Sequence, residues 1–129
     1  MLGYSEELLQ RLNLPYRVIR CCTGDIGVKN AAMYDVETWM PSREDPSKSD
    51  SGYGETHSAS RLYEFQARRL NLRYRDEDGK VKFCHTLNNT VIASPRVLIP
   101  ILELYQDADE TVTIPEVLRP YMGGRERIR

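Results

Sequence analysis

Cysteine is scarce and scattered in this chain. Cys21, Cys22 and Cys84 form no Cys-x-x-Cys pair, and together with His57 and His85 they lack the spacing of a four-ligand structural zinc site. A reduced compartment is the simpler reading. Glycine-rich phosphate loops are missing too: neither GxGxxG nor GxxxxGK[ST] occurs, which argues against a Rossmann or P-loop nucleotide site. No charge sign dominates, because 18 Lys and Arg stand against 19 Asp and Glu for a net charge of -1. Without a global basic field, any polyanion contact has to come from local patches. Apolar runs such as Val97–Leu102 fall far short of the ~20 residues that cross a bilayer, so no membrane partner is expected and the chain reads as soluble. The N-terminal MLGYSEELLQRLN carries acidic residues and fits neither a signal peptide nor an Arg-rich transit peptide.

What is present suffices for one domain of 129 residues, 40% of them hydrophobic. Ser5, Glu6 and Glu7 ahead of Leu8, Leu9 and Leu12 predict a helix over about residues 5–13, with Ser5 as N-cap and Pro15 as stop. Tyr16–Cys22 and Tyr34–Met40 are rich in β-branched and apolar residues and predict strands, the first ending at Thr23-Gly24-Asp25, the second at Pro41. Residues 42–52, SREDPSKSDSG, have no large apolar side chain and read as a surface insertion. Arg69–Thr86 is two alternating runs joined by Asp78-Gly79, a hairpin signal. Pro95 then opens VLIPILELYQ, whose nearly continuous apolar residues predict a largely buried helix bent by Pro100. The order excludes strict βαβ alternation and gives an α+β class, an antiparallel β-sheet flanked by helices.

Five stretches carry a resemblance: LPYRVIRCCTGDIG, YDVETWMP, YGETHSAS, EFQARRLNLRYRDEDGKVKFCHTLNN and IPEVLRPYMGG. In this order and spacing they resemble the C-terminal half of the catalytic domain of seryl-tRNA synthetases, class II aminoacyl-tRNA synthetases. The resemblance covers residues 1–129 except the loop at 42–52. The HSAS and NNTVIASPR segments look most like the mitochondrial, particularly fungal, branch, which implies a mitochondrial matrix enzyme, with the cytoplasm as the alternative. The implied activity is ATP-dependent activation of serine and its transfer to tRNA(Ser), with Mg2+ assisting and a homodimer as the family's assembly.

The resemblance also assigns residues. The family's Glu-x-Ser-Ser tetrad, which meets ATP, falls on Glu55, Thr56, His57 and Ser58, with Glu55 and Ser58 as the metal ligands. His57 replaces a serine there and is expected to add bulk and a titratable ring at the edge of the nucleotide site. The third class II motif spans about 85–106 and ends its loop in Arg96, whose planar guanidinium suits both an adenine ring and a phosphate. Its glycines are largely replaced, by Asn89, Val91, Ser94 and Pro95. Thr90, with Asn88 nearby, falls where the family recognises the serine hydroxyl. Read without the family, Glu55 is a solvated strand residue, Arg96 an exposed helix start, and Thr90 and Asn88 loop residues bonding their own backbone.

Three further features stand apart from these. Thr23–Gly27 has glycines able to expose backbone N–H groups, although turn chemistry is the commoner use. Asp35 and Glu37 share one side of a strand, as a metal pair or as a wet face would. Arg68, Arg69, Arg73 and Arg75 surround Tyr74, a patch suited to the tRNA acceptor end or to a solvated hairpin balanced by Asp76, Glu77 and Asp78. The first two class II motifs have no counterpart, so the chain reads as a fragment not expected to aminoacylate alone. A remnant acting as a binding or regulatory module is the competing reading.

Overall fold

In the computed structural model, which describes residues 1–129, four strands build one antiparallel sheet. They are β1 (Tyr16–Arg20), β2 (Ala32–Trp39), β3 (Tyr53–Tyr63) and β6 (Thr86–Thr90), in the order β1-β2-β3-β6. Between β3 and β6 the chain leaves the sheet to make helix α2 (Phe65–Leu70) and a separate hairpin of β4 (Arg73–Arg75) and β5 (Val81–Phe83). The remaining elements are α1 (Leu2–Arg11), α3 (Ser94–Leu104), the pair β7 (Val112–Thr113) and β8 (Arg127–Ile128), and two 3-10 turns at Pro41–Arg43 and Glu116–Met122. The predicted α+β class and both predicted strands are present, β1 ending two residues short of Cys22.

One hydrophobic cluster holds the layers together. Leu9, Leu12 and Leu14 from α1 and its exit, Val36 from β2 and Val97 from α3 are all buried against one another. The predicted N-terminal helix is therefore real, but Ser5 is not its cap. The helix starts at Leu2 after Met1, and Ser5 lies in its interior with no exposed surface. Spaced i, i+4 with Leu9, it belongs to the stripe that meets the sheet, where its hydroxyl lies 3.3 Å from the Asn89 amide.

The C-terminal helix forms where expected but is buried along one side only. Val97 and Pro100 face inward, whereas Leu98, Ile99 and Leu102 are 52%, 37% and 44% exposed. A helix lying on a single sheet buries one stripe, and an apolar outer stripe does not change that geometry. Pro100 withholds the N–H that would have bonded the Arg96 carbonyl, four residues back.

The hairpin pairs Arg73 with Phe83 and Arg75 with Val81 around a turn in which Gly79 adopts φ +78°. Its first predicted residues, Arg69 and Leu70, instead close α2, which ends at Asn71 in the left-handed region with φ 54°. Residues 42–52 form an exposed loop, as predicted, but a tethered one. Ser42 hydrogen-bonds Glu103 of α3, Asp50 pairs with Arg17 of β1, and Ser51 donates to the Asp45 carbonyl. Gly52 closes the loop with φ +90° against the face of Trp39, and a side chain there would land inside the indole ring.

Two glycine substitutions separate these effects. Gly52→Ala combines left-handed strain with overpacking and should cost about 2–4 kcal/mol. Gly3→Ala, in α1 with open space around it, should stabilise by about 0.5–1 kcal/mol. Urea midpoints of the two variants, moving in opposite directions, check both.

Candidate functional site

Glu55 and Ser58 stand three positions apart, and in an unbroken strand they would point to opposite faces. The pairing of β2 with β3 removes that obstacle. Val36 pairs with His57 and Glu37 with Glu55, so Thr56 has no partner and β3 carries a bulge. Paired residues share a face. Asp35 opposite Ser58 and Glu37 opposite Glu55 therefore put Glu55 and Ser58 on the same side of the sheet. Thr90 opposite Ser58 and Asn88 opposite Ser60 extend that side onto β6.

The bulge sends Thr56 and His57 the other way, into the interior, with 0% and 1% of their surfaces exposed. Thr56 Oγ1 lies 2.6 Å from Thr38 Oγ1, 2.8 Å from His57 Nδ1 and 3.2 Å from the Val36 carbonyl. The expected titratable ring at the open edge of the site is thus an interior ring. Burial holds the His57 imidazole below its ordinary pKa, in the neutral form. Thr38 was not among the residues singled out from the sequence. Thr38 pairs with Gly54, two residues before the unpaired Thr56, and its approach to Thr56 emerges only once the register and the bulge are known.

β6 stops at Thr90, which leaves the edge of β3 around Glu55–His57 uncovered, and the first turn of α3 lies alongside it. There a cavity of about 180 Å³ is lined by Glu55, Thr56, His57, Ser58, Thr90, Ala93 and Arg96. Arg96 crosses its mouth to Glu55, with Nη1 at 2.9 Å from the carboxylate. Beyond this ion pair a second hollow of about 260 Å³ is bordered by Met40, Arg43, Glu55, Arg96 and Ile99. Every sequence-predicted site residue except Asn88 lines the first cavity; Asn88 lies two pairs further along β6 and borders a separate hollow with Ser60 and Arg61. The site combines a carboxylate and two hydroxyls, oxygen ligands suited to a cation, with an exposed guanidinium suited to phosphate.

The other charged groups of this side are engaged elsewhere. Glu37 is paired with Arg17 at 2.6 Å, and Asp35 accepts a hydrogen bond from the Cys21 thiol at 3.2 Å, so neither forms a wet face. Residues 22–27 make ordinary turns, Asp25 N–H bonding the Cys22 carbonyl, away from the cavity. On the hairpin module Arg68 and Arg73 both lie against the Phe83 ring, and Arg69 against Phe65. Asp76 is paired with Lys82, not with an arginine.

A family model described as the tRNA synthetase class II core domain (G, H, P, S and T) matches residues 1–105. The chain belongs to that family. The class II core domain seen here is 58% identical over 126 residues to the serine–tRNA ligase of Deinococcus radiodurans, covering 98% of this chain and 28% of that protein. The Burkholderia cenocepacia serine–tRNA ligase is 49% identical over 128 residues, again 28% of its length. Among solved structures, seryl-tRNA synthetase from Pyrococcus horikoshii complexed with ATP superposes with a TM-score of 0.86 at 46% identity, covering 98% of this chain and 27% of that one. The cytoplasmic serine–tRNA ligase of Naegleria fowleri in complex with AMP gives 0.88 at 39% identity, covering 100% and 28%. The chain thus spans little more than a quarter of the relatives it matches.

Cysteine chemistry offers a check on this side of the domain. Burial first, and the Asp35 carboxylate second, push the Cys21 thiol up to about 11. At pH 8 its thiolate then amounts to roughly one part in a thousand. Mass spectrometry after brief iodoacetamide treatment should find the exposed Cys22 alkylated and Cys21 spared. Asp35→Asn should speed modification of Cys21.

Proposed function

We propose that the chain is the C-terminal part of the catalytic domain of a serine–tRNA ligase. The reaction joins a serine carboxylate oxygen to the α-phosphorus of ATP, releasing pyrophosphate. A terminal ribose hydroxyl of tRNA(Ser) then takes the seryl group from the adenylate, releasing AMP. The observation that carries this reading is the convergence of Glu55, Ser58, Thr90 and Arg96 on one cavity, in a chain 58% identical to a serine–tRNA ligase.

Arg96 is placed to lay its guanidinium on the adenine ring and hold a phosphate, which its planar fork does better than an ammonium group. Its partner is Glu55, so nucleotide binding would exchange one charge-assisted contact for another. Glu55 and Ser58 offer hard oxygens on one face, and Mg2+ accepts one or two such protein ligands, completing its shell with water and phosphate. That cation would offset phosphate charge as it shifts in the transition state. Thr90, with Asn88 further along β6, is our candidate for holding the serine hydroxyl; a substrate lacking it would leave polar groups unpaired. The homodimer and tRNA(Ser) come with the family. For the compartment, the mitochondrial matrix has only the segments His57–Ser60 and Asn88–Arg96 behind it, and the bacterial and archaeal relatives described above lend it no support.

A chimera tests this reading. The chain replaces the matching segment of the Deinococcus radiodurans ligase, and serine-dependent ATP–pyrophosphate exchange is measured. Exchange with serine, and not with alanine, is expected. Arg96→Ala should lower it about 100-fold, the scale of losing one transition-state charge contact of about 3 kcal/mol. Glu55→Gln should raise the Mg2+ concentration needed for half-maximal rate. A folded chimera silent with every amino acid would favour the non-catalytic module.

A further inference from the structure

The hydrogen bonds around Thr56 can be assigned by counting protons. A threonine hydroxyl donates once and accepts twice. The Val36 carbonyl, 3.2 Å away, can only accept, so it takes the Thr56 proton. Thr38 Oγ1, at 2.6 Å, must then donate to Thr56, and His57 Nδ1, at 2.8 Å, must carry a hydrogen and do the same. All three contacts are satisfied by this arrangement and the hydroxyl is saturated. It leaves His57 Nε2 as a bare acceptor, in keeping with its burial without a partner. The three side chains are buried, with Thr38 and Thr56 fully so.

A bulge disrupts the ladder locally, and here the disrupted residue is the one whose hydroxyl these neighbours hold. We propose that Thr38 and His57 are positioning residues for the reaction proposed above: by clamping Thr56 from two sides they fix the bulge that brings Glu55 and Ser58 to one face. The inference rests on the serine–tRNA ligase reading only for what Glu55 and Ser58 are positioned to bind. Neither Thr38 nor His57 touches substrate in this scheme. Each acts through Thr56, and His57 does so as a donor, a role that the serine expected at its position would fill only with a shorter reach.

Hydrogen exchange on the 129-residue chain, read by mass spectrometry, tests the clamp directly. Thr56→Val and Thr38→Val should speed exchange of the amides of residues 55–58 at least tenfold while peptides from α1 and from β4–β5 keep their rates. Thr56→Ser should retain protection. Should Thr56→Val unfold altogether, Thr38→Val, which removes one donor and strands no other group of the clamp, carries the test. The second readout is affinity for ATP with and without Mn2+, followed by electron paramagnetic resonance and by calorimetry. Thr38→Val should weaken Mn2+·ATP at least tenfold and leave metal-free ATP binding unchanged, a split that general loosening would not produce. Unchanged exchange at 55–58 overturns the proposal, and so does faster exchange with unchanged Mn2+·ATP affinity. A wild-type chain that takes up no nucleotide speaks against the ligase reading instead, while the exchange comparison still decides the clamp.

Discussion

The bulge at Thr56 is the constraint on which the rest of the site depends. Side chains in a strand alternate with period two, so a carboxylate and a hydroxyl three residues apart cannot serve one ligand unless the period is broken once between them. The unpaired Thr56 breaks it, and the break costs ladder hydrogen bonding on an inner strand. The compensation comes from Thr38, His57 and the Val36 carbonyl, all around one fully buried hydroxyl. Buried polar groups are expensive when unmatched and specific when matched. An apolar residue at 56 would pack as well in the unbulged register, whereas a hydroxyl with three fixed partners would lose them there.

From that point the geometry propagates outward. β6 pairs with β3 only as far as Ser58, so the bulged segment has one edge free, and the chain turns there into α3. The first turn of α3 carries Arg96 across the gap to Glu55. Pro100 leaves the Arg96 carbonyl without its helical donor, so this turn is held by fewer backbone bonds than the rest of the helix. The turn itself is closed by the Arg96 and Val97 N–H groups on the Ala93 carbonyl, and the guanidinium's partner is a surface carboxylate. An exposed pair of this kind is worth little, so its exchange for another charged partner carries a small cost. The same contact orients the Glu55 carboxylate.

Much of the fold was legible because its signals are local. Asp78-Gly79 marks a turn whatever surrounds it, Pro95 starts a helix, and alternation in Tyr34–Met40 gives a strand. The failures lie where tertiary position overrode local chemistry. Ser5 has the composition of a cap, yet its spacing to Leu9 puts it on the inner stripe of α1. Leu98, Ile99 and Leu102 are apolar enough for burial, yet one sheet covers one side of a helix. Arg69 and Leu70 fit an alternating run, but they complete the helical turn begun at Phe65. Glu55, Ser58, Thr90 and Arg96 came from the resemblance, and the structure adds their convergence on one cavity. Nothing in the sequence located the bulge, because register is a property of two strands and the partner residues Val36 and Glu37 lie about twenty positions away.

The different fates of His57 on β3 and Arg96 on α3 illustrate how neighbouring residues of one site can divide their labour. Arg96 lies at the surface, its guanidinium paired with Glu55 and open to solvent. His57 is the opposite case. Its ring is locked by burial, by the Thr56 oxygen and by the tautomer that this contact imposes. The clamp asks for a hydrogen on Nδ1, and in the neutral ring that burial favours this leaves Nε2 a bare acceptor in the interior. The buried ring and the exposed guanidinium thus lie on opposite sides of the bulged strand. Preorganised ligands on a fixed strand, with one charged arm free to close over them, are what a site must have if it is to bind a flexible polyphosphate in a single reactive pose.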